Sequence, residues 1–443
     1  MKRYIFSIVL LFLTTIFGYS ASVSFVGNSK SIITEKPATS TGLNDLFVLY
    51  NLNGVSVQYK ASSSSKVTWS RFSNLGGGYA EVVPSIKQGD VYTLSNLEGD
   101  MGYIVEEGSN RYYFWVVDYS KHYLDIEALN ISHEQECDVM ALNPVGCGDE
   151  IKYYTINGQA KNLDRGIKVL YTTLQWDENA SAYSQVEAVE EFSHLPETMR
   201  VPAPLCNTDF MIRGDRFLEV WSETTSATSQ FYTAIAVSAH TMANQTIREN
   251  DNEKKDEAAL GGSAPVEIEF SAVCSDAVVF TEWQFATDSE FENITLRMNE
   301  LVVPHVFREQ GTTYVRFVAS NDAGTCDYYS DTYEVFIGAS SIDCPNAFSP
   351  GASEGINDEW KVSYKSIISF ECYIFNRWGI KVAEFKDPSK GWDGKHNGKY
   401  VPAGVYYYVI KAEGADGRKY NLKGDINIIK YKYSGASATA PTE

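Results

Sequence analysis

Alternation is the dominant pattern along this chain. Between residues 21 and 132 the runs "LFVLYNL", "GVSVQYK", "KVTWSRF", "DVYTLSNL", "MGYIVEE" and "RYYFWVVDY" set apolar side chains close to every second position. The turn formers "NG", "GGG", "GD" and "EGSN" separate them. A period of two places one set of side chains on one face of a strand, and regularly spaced short runs of this kind predict a β-sandwich.

The pattern recurs in three more blocks. Residues 133–248 carry "EIKYYTING", "GIKVLYTTLQW", "RFLEVWS" and "QFYTAIAVSAH" around "VPAPL", which predicts a second sandwich. Trp69 and Trp115 in the first block, and Trp176 and Trp221 in the second, are expected to plug the space between facing sheets. Residues 249–264, "ENDNEKKDEAALGGSA", mix charges with Gly and Ser and show no apolar period, so an interdomain linker is predicted. Alternation resumes over 265–339 in "VEIEFSAV", "AVVFTEWQFA" and "TTYVRFVASN", and again over 340–432, before a short flexible tail at 433–443. "LGGGY" at 75–79 lacks the Lys and the following helix of a phosphate loop and reads as a flexible hairpin turn.

Composition sharpens this picture. Hydrophobic residues make up 44% and charged residues 21%, enough apolar surface for every block to bury a core. The 29 Tyr and 22 Phe favour pleated sheet over helix. At the amino terminus Lys2 and Arg3 precede an apolar run from Tyr4 to Phe17, the form of a signal peptide over residues 1–20 with cleavage between Ser20 and Ala21. No second such run follows, so no transmembrane segment is expected once the leader is removed.

A net charge of -20 argues against nucleic acid as a partner, because phosphate binding needs a basic face. From residue 340 onward 14 Lys and Arg face 12 Asp and Glu, a local balance of +2 that leaves -22 on the preceding residues. Seven cysteines in an exported chain make disulfides an expectation. The candidate pairs are Cys137 with Cys147, Cys274 with Cys326 and Cys344 with Cys372, leaving Cys206 over; spacing alone leaves the pairing open. No two cysteines stand at C-x-x-C spacing and no Asp-rich calcium loop occurs, so neither a metal nor another cofactor is expected.

The most specific signal lies in the last block: "CPNAFSP", "GIND", "CYIFNRWG", "GWDG", "VPAGVYYYVI" and "KGDINIIK". Asn376 to Gly379 interrupts an alternating run, as a turn does when Asn opens the reversal and Gly takes a left-handed backbone. Arg377 is then placed to stack on Trp378 or Trp392. Asp393-Gly394 suits a tight turn. After Pro402, Val405, Tyr407 and Val409 face one side of a strand, and Tyr406, Tyr408 and Ile410 the other.

These motifs, in this order, resemble the gliding-motility-associated C-terminal domain, the type B sorting signal of type IX secretion. The resemblance implies recognition roles for Phe348, Pro350, Asn357, Asp358, Asn376, Arg377, Trp378, Gly379, Trp392, Asp393, Gly394, Pro402, Gly404 and Tyr406. The strand runs of this block predict a compact sandwich of roughly seven strands, and the resemblance implies the outer-membrane type IX machinery as a partner. "PGASEGIND" stands where the family has an Asn-Gly-Asp-Gly loop. Residues 265–339, with "TYVRFVASNDAG", resemble Ig-like domains of the polycystic-kidney-disease type.

The expected fold is therefore all-β: tandem Ig-like β-sandwich domains ending in a sorting domain. The expected location is the cell surface, the outer membrane or the extracellular space. His122, His133, His194, His240, His305 and His396 are scattered, with no metal-protease or serine-hydrolase signature. A non-catalytic adhesin or scaffold for a protein or glycan ligand is the favoured function. An accessory component of the secretion apparatus and a secreted hydrolase are the alternatives, the latter because paired carboxylates meet only in the fold.

Overall fold

In a computed structural model the described residues are 23–62, 66–132, 136–350, 355 and 357–429. The leader with Ser20 and Ala21, His133 and the tail at 433–443 lie outside them. The chain divides into two compact units: residues 1–172, 187–203 and 208–232, and residues 173–186, 204–207 and 233–443.

The first unit opens with a sandwich. One sheet orders its strands as Val23–Val26, Ser56–Lys60, Val91–Leu94 and Ile86–Gln88; the other runs Ile33–Glu35, Asp45–Leu49, Asn110–Asp118, Met101–Glu107, Val67–Phe72 and Glu81–Val83. Ser56–Lys60 and Val91–Leu94 alternate as expected, whereas Asp45–Leu49 is buried at every position. Trp69 sits between the sheets, while Trp115, also buried, packs on the opposite face of its sheet against Phe72 and Tyr154. The strand Asp125–Ile131 pairs with Val139–Cys147 and so belongs to the second domain of the unit, not to the first block of the sequence. Periodicity identifies a strand but does not name its neighbour.

Polar groups seal the joint between these two domains. Arg165 and Asp215, both with fully buried side chains, meet at 2.9 Å. Arg165 also donates to the carbonyls of His122 and Asp149, at 2.7 and 3.0 Å. Asp215 accepts from the Tyr119 hydroxyl at 3.1 Å and from the amide of Leu218 at 3.0 Å, capping the helix Arg216–Val220. The run "RFLEVWS", read from sequence as a strand, is therefore helical at its start, because Asp215 supplies an N-cap. A buried charge pair is tolerable when its remaining donors and acceptors are satisfied in this way. The 75–79 stretch, read as a flexible turn, instead packs on the second domain: Gly77 donates to the carbonyl of Ile156 at 2.8 Å. A Cβ on Gly76 would stand 2.6 Å from the amide nitrogen of Gly158.

The second unit holds the other two β-domains. In the first of these, the sheet Ala239–Gln245, Val266–Cys274 and Val302–Phe307 faces a sheet built on Val278–Ala286 and Gly311–Asn321. Between them Phe270, Trp283, Phe285 and Phe317 form the core. The strand Ala239–Gln245, assigned by sequence to residues 133–248, pairs along its length with Val266–Cys274.

The expected linker at 249–264 is a packed strap. The amide of Lys254 donates to the carbonyl of Tyr364 at 2.7 Å, and the amide of Tyr364 to the carbonyl of Asn252 at 3.0 Å. Asn252 Nδ2 reaches the carbonyls of Val362 and Pro388, both at 2.8 Å. Glu253, whose side chain is fully buried, accepts from Arg248 at 2.5 Å and Asn250 at 3.0 Å. Leu260–Gly262 then pairs in parallel with Tyr333–Ile337. The strap lacks apolar periodicity because backbone groups and charges hold it, and many of its partners lie more than a hundred residues away.

The cysteines depart from all three expected pairs. Cys137 and Cys326 are the disulfide-bonded residues, whereas Cys147, Cys274, Cys344 and Cys372 are free thiols. Cys147 ends the nine-residue strand Val139–Cys147. At about 3.3 Å per residue, that extended run carries it far beyond the ~6 Å Cα separation a disulfide to Cys137 requires. Cys344 and Cys372 share one core as thiols. Burial raises both pKa values, Cys372 to about 12, which suppresses the reactive thiolate.

Candidate recognition site

The carboxy-terminal domain is a five-stranded sheet ordered Ala347–Phe348, Lys419–Ile428, Gly404–Gly414, Ile367–Phe375 and Lys381–Phe385. Two short ribbons, Ser341–Asp343 with Ser363–Lys365 and Lys395–His396 with Lys399–Tyr400, accompany it. The expected seven-stranded sandwich is thus one main sheet covered by ribbons and turns. Tyr406 and Ile410 are buried while Val405, Tyr407 and Val409 are exposed, which is the alternation read from the sequence.

One group of the nominated residues forms a buried aromatic chain. The ring of Phe348 lies 5.5 Å from Trp392, and that of Trp392 5.2 Å from Tyr406. Trp392 Nε1 donates to the carbonyl of Lys395 at 2.9 Å, and the Tyr406 hydroxyl to the carbonyl of Pro402 at 2.9 Å. Both polar tips are therefore satisfied, as buried Trp and Tyr require. Asp393 Oδ1 accepts the amide of Lys395 at 3.0 Å, and Gly394 has a φ of +76°, which completes the expected turn. A Cβ on Gly394 would meet Pro350 Cγ at 2.9 Å, so Pro350 and Gly394 are fitted to each other. Ser349 donates to the carbonyl of Asn357 at 2.9 Å, and Gly355 to Asp358 at 2.7 Å, closing the loop. Residues 351–354 and 356 of that loop lie outside the described residues.

A second group forms an exposed corner. Asn376 Oδ1 accepts the amides of Trp378 and Ile380, both at 3.0 Å, while the amide of Gly379 donates to the carbonyl of Asn376 at 3.0 Å. Gly379 takes a φ of +80°. Trp378 is 71% exposed, and the Arg377 guanidinium lies 4.2 Å from its ring centroid. Stacking is on Trp378, because Trp392 is only 3% exposed.

Tertiary structure brings the corner to the Pro402–Gly404 segment. Asn376, Arg377, Trp378, Pro402, Gly404 and Tyr406, six of the nominated residues, line one groove of 350 Å³ together with Val382, His396 and Val401. Burial raises the Tyr406 hydroxyl pKa, with the Arg377 charge pulling it the other way. His396 Nδ1 lies 3.0 Å from the carbonyl of Val382. Sequence reasoning missed Trp360, which is fully buried, exchanges two backbone hydrogen bonds with Trp392 and donates through Nε1 to Pro345 at 2.6 Å. A tryptophan two residues after the nominated Asp358 was the available signal.

Residues 342–428 match the CHU_C type IX secretion signal domain. That match makes the carboxy-terminal domain a type IX secretion signal, and the protein is exported by this route to the cell surface or the extracellular space. The signal domain engages the secretion machinery. Residues 130–229 match a fibronectin type III domain, in line with the Ig-like sandwich reading and with the strand exchange near residue 125.

No curated protein matches the chain. Among solved structures, the chain is similar to a tetra-tandem repeat from the extending region of a large adhesion protein, at 10% identity and a TM-score of 0.21, covering 86% of this chain and 96% of that one. A Ca2+-stabilized adhesin that helps an Antarctic bacterium bind ice matches at 11% identity and a TM-score of 0.19, covering 93% of this chain and all of the other. Dimeric latent PorU from Porphyromonas gingivalis matches at 10% identity and a TM-score of 0.16, covering 72% of this chain and 35% of that one. At these scores the likeness stops short of a shared arrangement, and the architecture rests on the strand pairings above.

Proposed function

We propose that this exported chain is a non-catalytic binding protein of the cell surface, an adhesin or scaffold. Its contacts are made by the outer faces of its β-domains, and the signal domain serves delivery. The observation that supports this is the exposed face of the domain built on Val278–Ala286 and Gly311–Asn321. Val279, Phe280 and Tyr329 are each 55% exposed there, and the pairing register shifts between Val278 and Phe280. A bulge re-aims side chains, and here it turns two successive apolar residues to solvent.

Phe280 borders a shallow groove of 450 Å³ that also presents Glu282, Asn299 and Asp327. Arg316 stacks on Tyr329 at 5.0 Å and on Phe291 at 4.0 Å, which steadies the neighbouring rings. Exposed apolar side chains rimmed by polar groups are the usual mark of an interaction surface. The test is binding of the full mature chain to immobilised matrix proteins and glycans, beside the variants Val279→Ser and Phe280→Ser. Retained melting temperature with at least about fivefold weaker binding supports this face, since each side chain removes apolar contact area worth about 1 kcal/mol or more. Unchanged binding by both variants refutes it, and turnover of any ligand refutes the non-catalytic reading.

A further inference from the structure

We propose that the groove beside the Asn376–Gly379 corner is where the signal domain is read. Its occupant is an extended polypeptide segment of the secretion machinery bearing a carboxylate side chain, clamped by Arg377 on a Trp378 platform. This deepens the type IX assignment and rests on it.

The clamp follows from how the corner spends its polar groups. Asn376 and Gly379 use theirs to close the turn, which pushes Trp378 out to 71% exposure. Arg377 is stacked on that indole with 4.2 Å between guanidinium and ring centroid. Stacking occupies a face of the guanidinium and leaves its in-plane N–H donors free. Among the described residues Arg377 makes no ion pair and donates no hydrogen bond; its charge acts on the nearby Tyr406 hydroxyl. A planar fork of donors held at a fixed angle matches a carboxylate bidentately. Tryptophan, tyrosine and arginine together are also the residue types that dominate binding energy at interfaces.

The sheet edge points to a polypeptide rather than a free anion. The strand Ile367–Phe375 ends with Phe375 opposite Tyr407. Residues Gly404–Tyr406 therefore pair with 426–428 on one side only, and their other side opens on the groove. A Cβ on Gly404 would have no atom within 4 Å, so a second backbone can approach there. An extended segment continues such an edge for a residue or two while its side chains rest on Val382 and Val405. Charge agrees with an acidic partner, because residues from 340 onward balance to +2 while the preceding chain carries -22 and repels it.

The test uses the full mature chain and the capped peptide Ac-Val-Asp-Val-Asp-Val-NH2, with Asn for Asp in a control peptide, read by tryptophan fluorescence with Trp378→Phe as the blank. The acidic peptide is expected to bind about tenfold or more tightly than its amide isostere, the worth of one charge-assisted bond. Arg377→Lys should erase most of that preference, since it keeps the charge and loses the fork. Equal affinity for the two peptides, no binding by either, or binding only to anionic phospholipid vesicles overturns the proposal.

In cells, Arg377→Glu should block export while the melting temperature is retained; if it alters folding, Trp378→Ser replaces it. Export of the charge-reversed chain sinks the groove proposal alone, provided that a chain lacking 340–443 stays inside. Export of that truncated chain sinks the type IX reading itself.

Discussion

Two glycine corners of the signal domain, Asn376–Gly379 and Trp392–Gly394, look alike in the sequence and differ in the fold. Each sets a tryptophan close before a glycine with positive φ, +80° at Gly379 and +76° at Gly394. Trp392 is 3% exposed and packs between Phe348 and Tyr406, whereas Trp378 is 71% exposed and carries Arg377. The positions that a Cβ would occupy tell the same story: Pro350 stands 2.9 Å from that of Gly394, and nothing lies within 4 Å of that of Gly379. One corner packs into the domain and the other leaves Trp378 and Arg377 open to solvent. A motif therefore mixes residues that set shape with residues left accessible for contact, and burial separates them.

Substitutions at matched positions test that separation. Trp392→Ala should have the largest effect on stability, about 3–5 kcal/mol by chemical denaturation, because it empties the centre of the aromatic chain. A loss below 1 kcal/mol would remove its structural role. Gly394→Ala should cost about 2–4 kcal/mol, the left-handed strain plus the clash with Pro350, and Gly379→Ala about 1–2 kcal/mol, the strain alone. Equal costs would show that the two corners are packed alike. Asn376→Ala should cost about 1–2 kcal/mol, since its side chain closes the turn through two amides. Its local signature is faster hydrogen exchange at residues 378 and 380. Trp378→Ala should shift stability by no more than about 0.5 kcal/mol while reducing export, the combination that only a contact residue produces.

The same division applies to legibility. The strand Gly404–Gly414 could be read directly, because alternation is a property of adjacent residues and one buried face imposes it. The corners could be read too, as Asn and Gly state local backbone needs. The strap could not: the partners of Asn252, Lys254 and Asp256 are Val362, Tyr364, Lys365 and Pro388, and charged residues without a period look solvated until those partners arrive. Nor could Arg165, since an arginine in "NLDRG" gives no hint that Asp215 will meet it away from water. The oxidised cysteines were likewise hidden, as spacing says nothing of where two thiols stand in space.

By itself the sequence determined most of the strands and turns and the buried face of strands such as Gly404–Gly414, because these follow from near neighbours and the exclusion of apolar surface from water. It did not determine that "RFLEVWS" starts a helix, nor that Asp45–Leu49 is covered on both faces. Tertiary structure alone decided which strands pair across domain boundaries, that 249–264 is clasped rather than free, and that Arg377 and Gly404 border one groove. Those outcomes depend on distances between residues far apart in the chain, which no local pattern encodes.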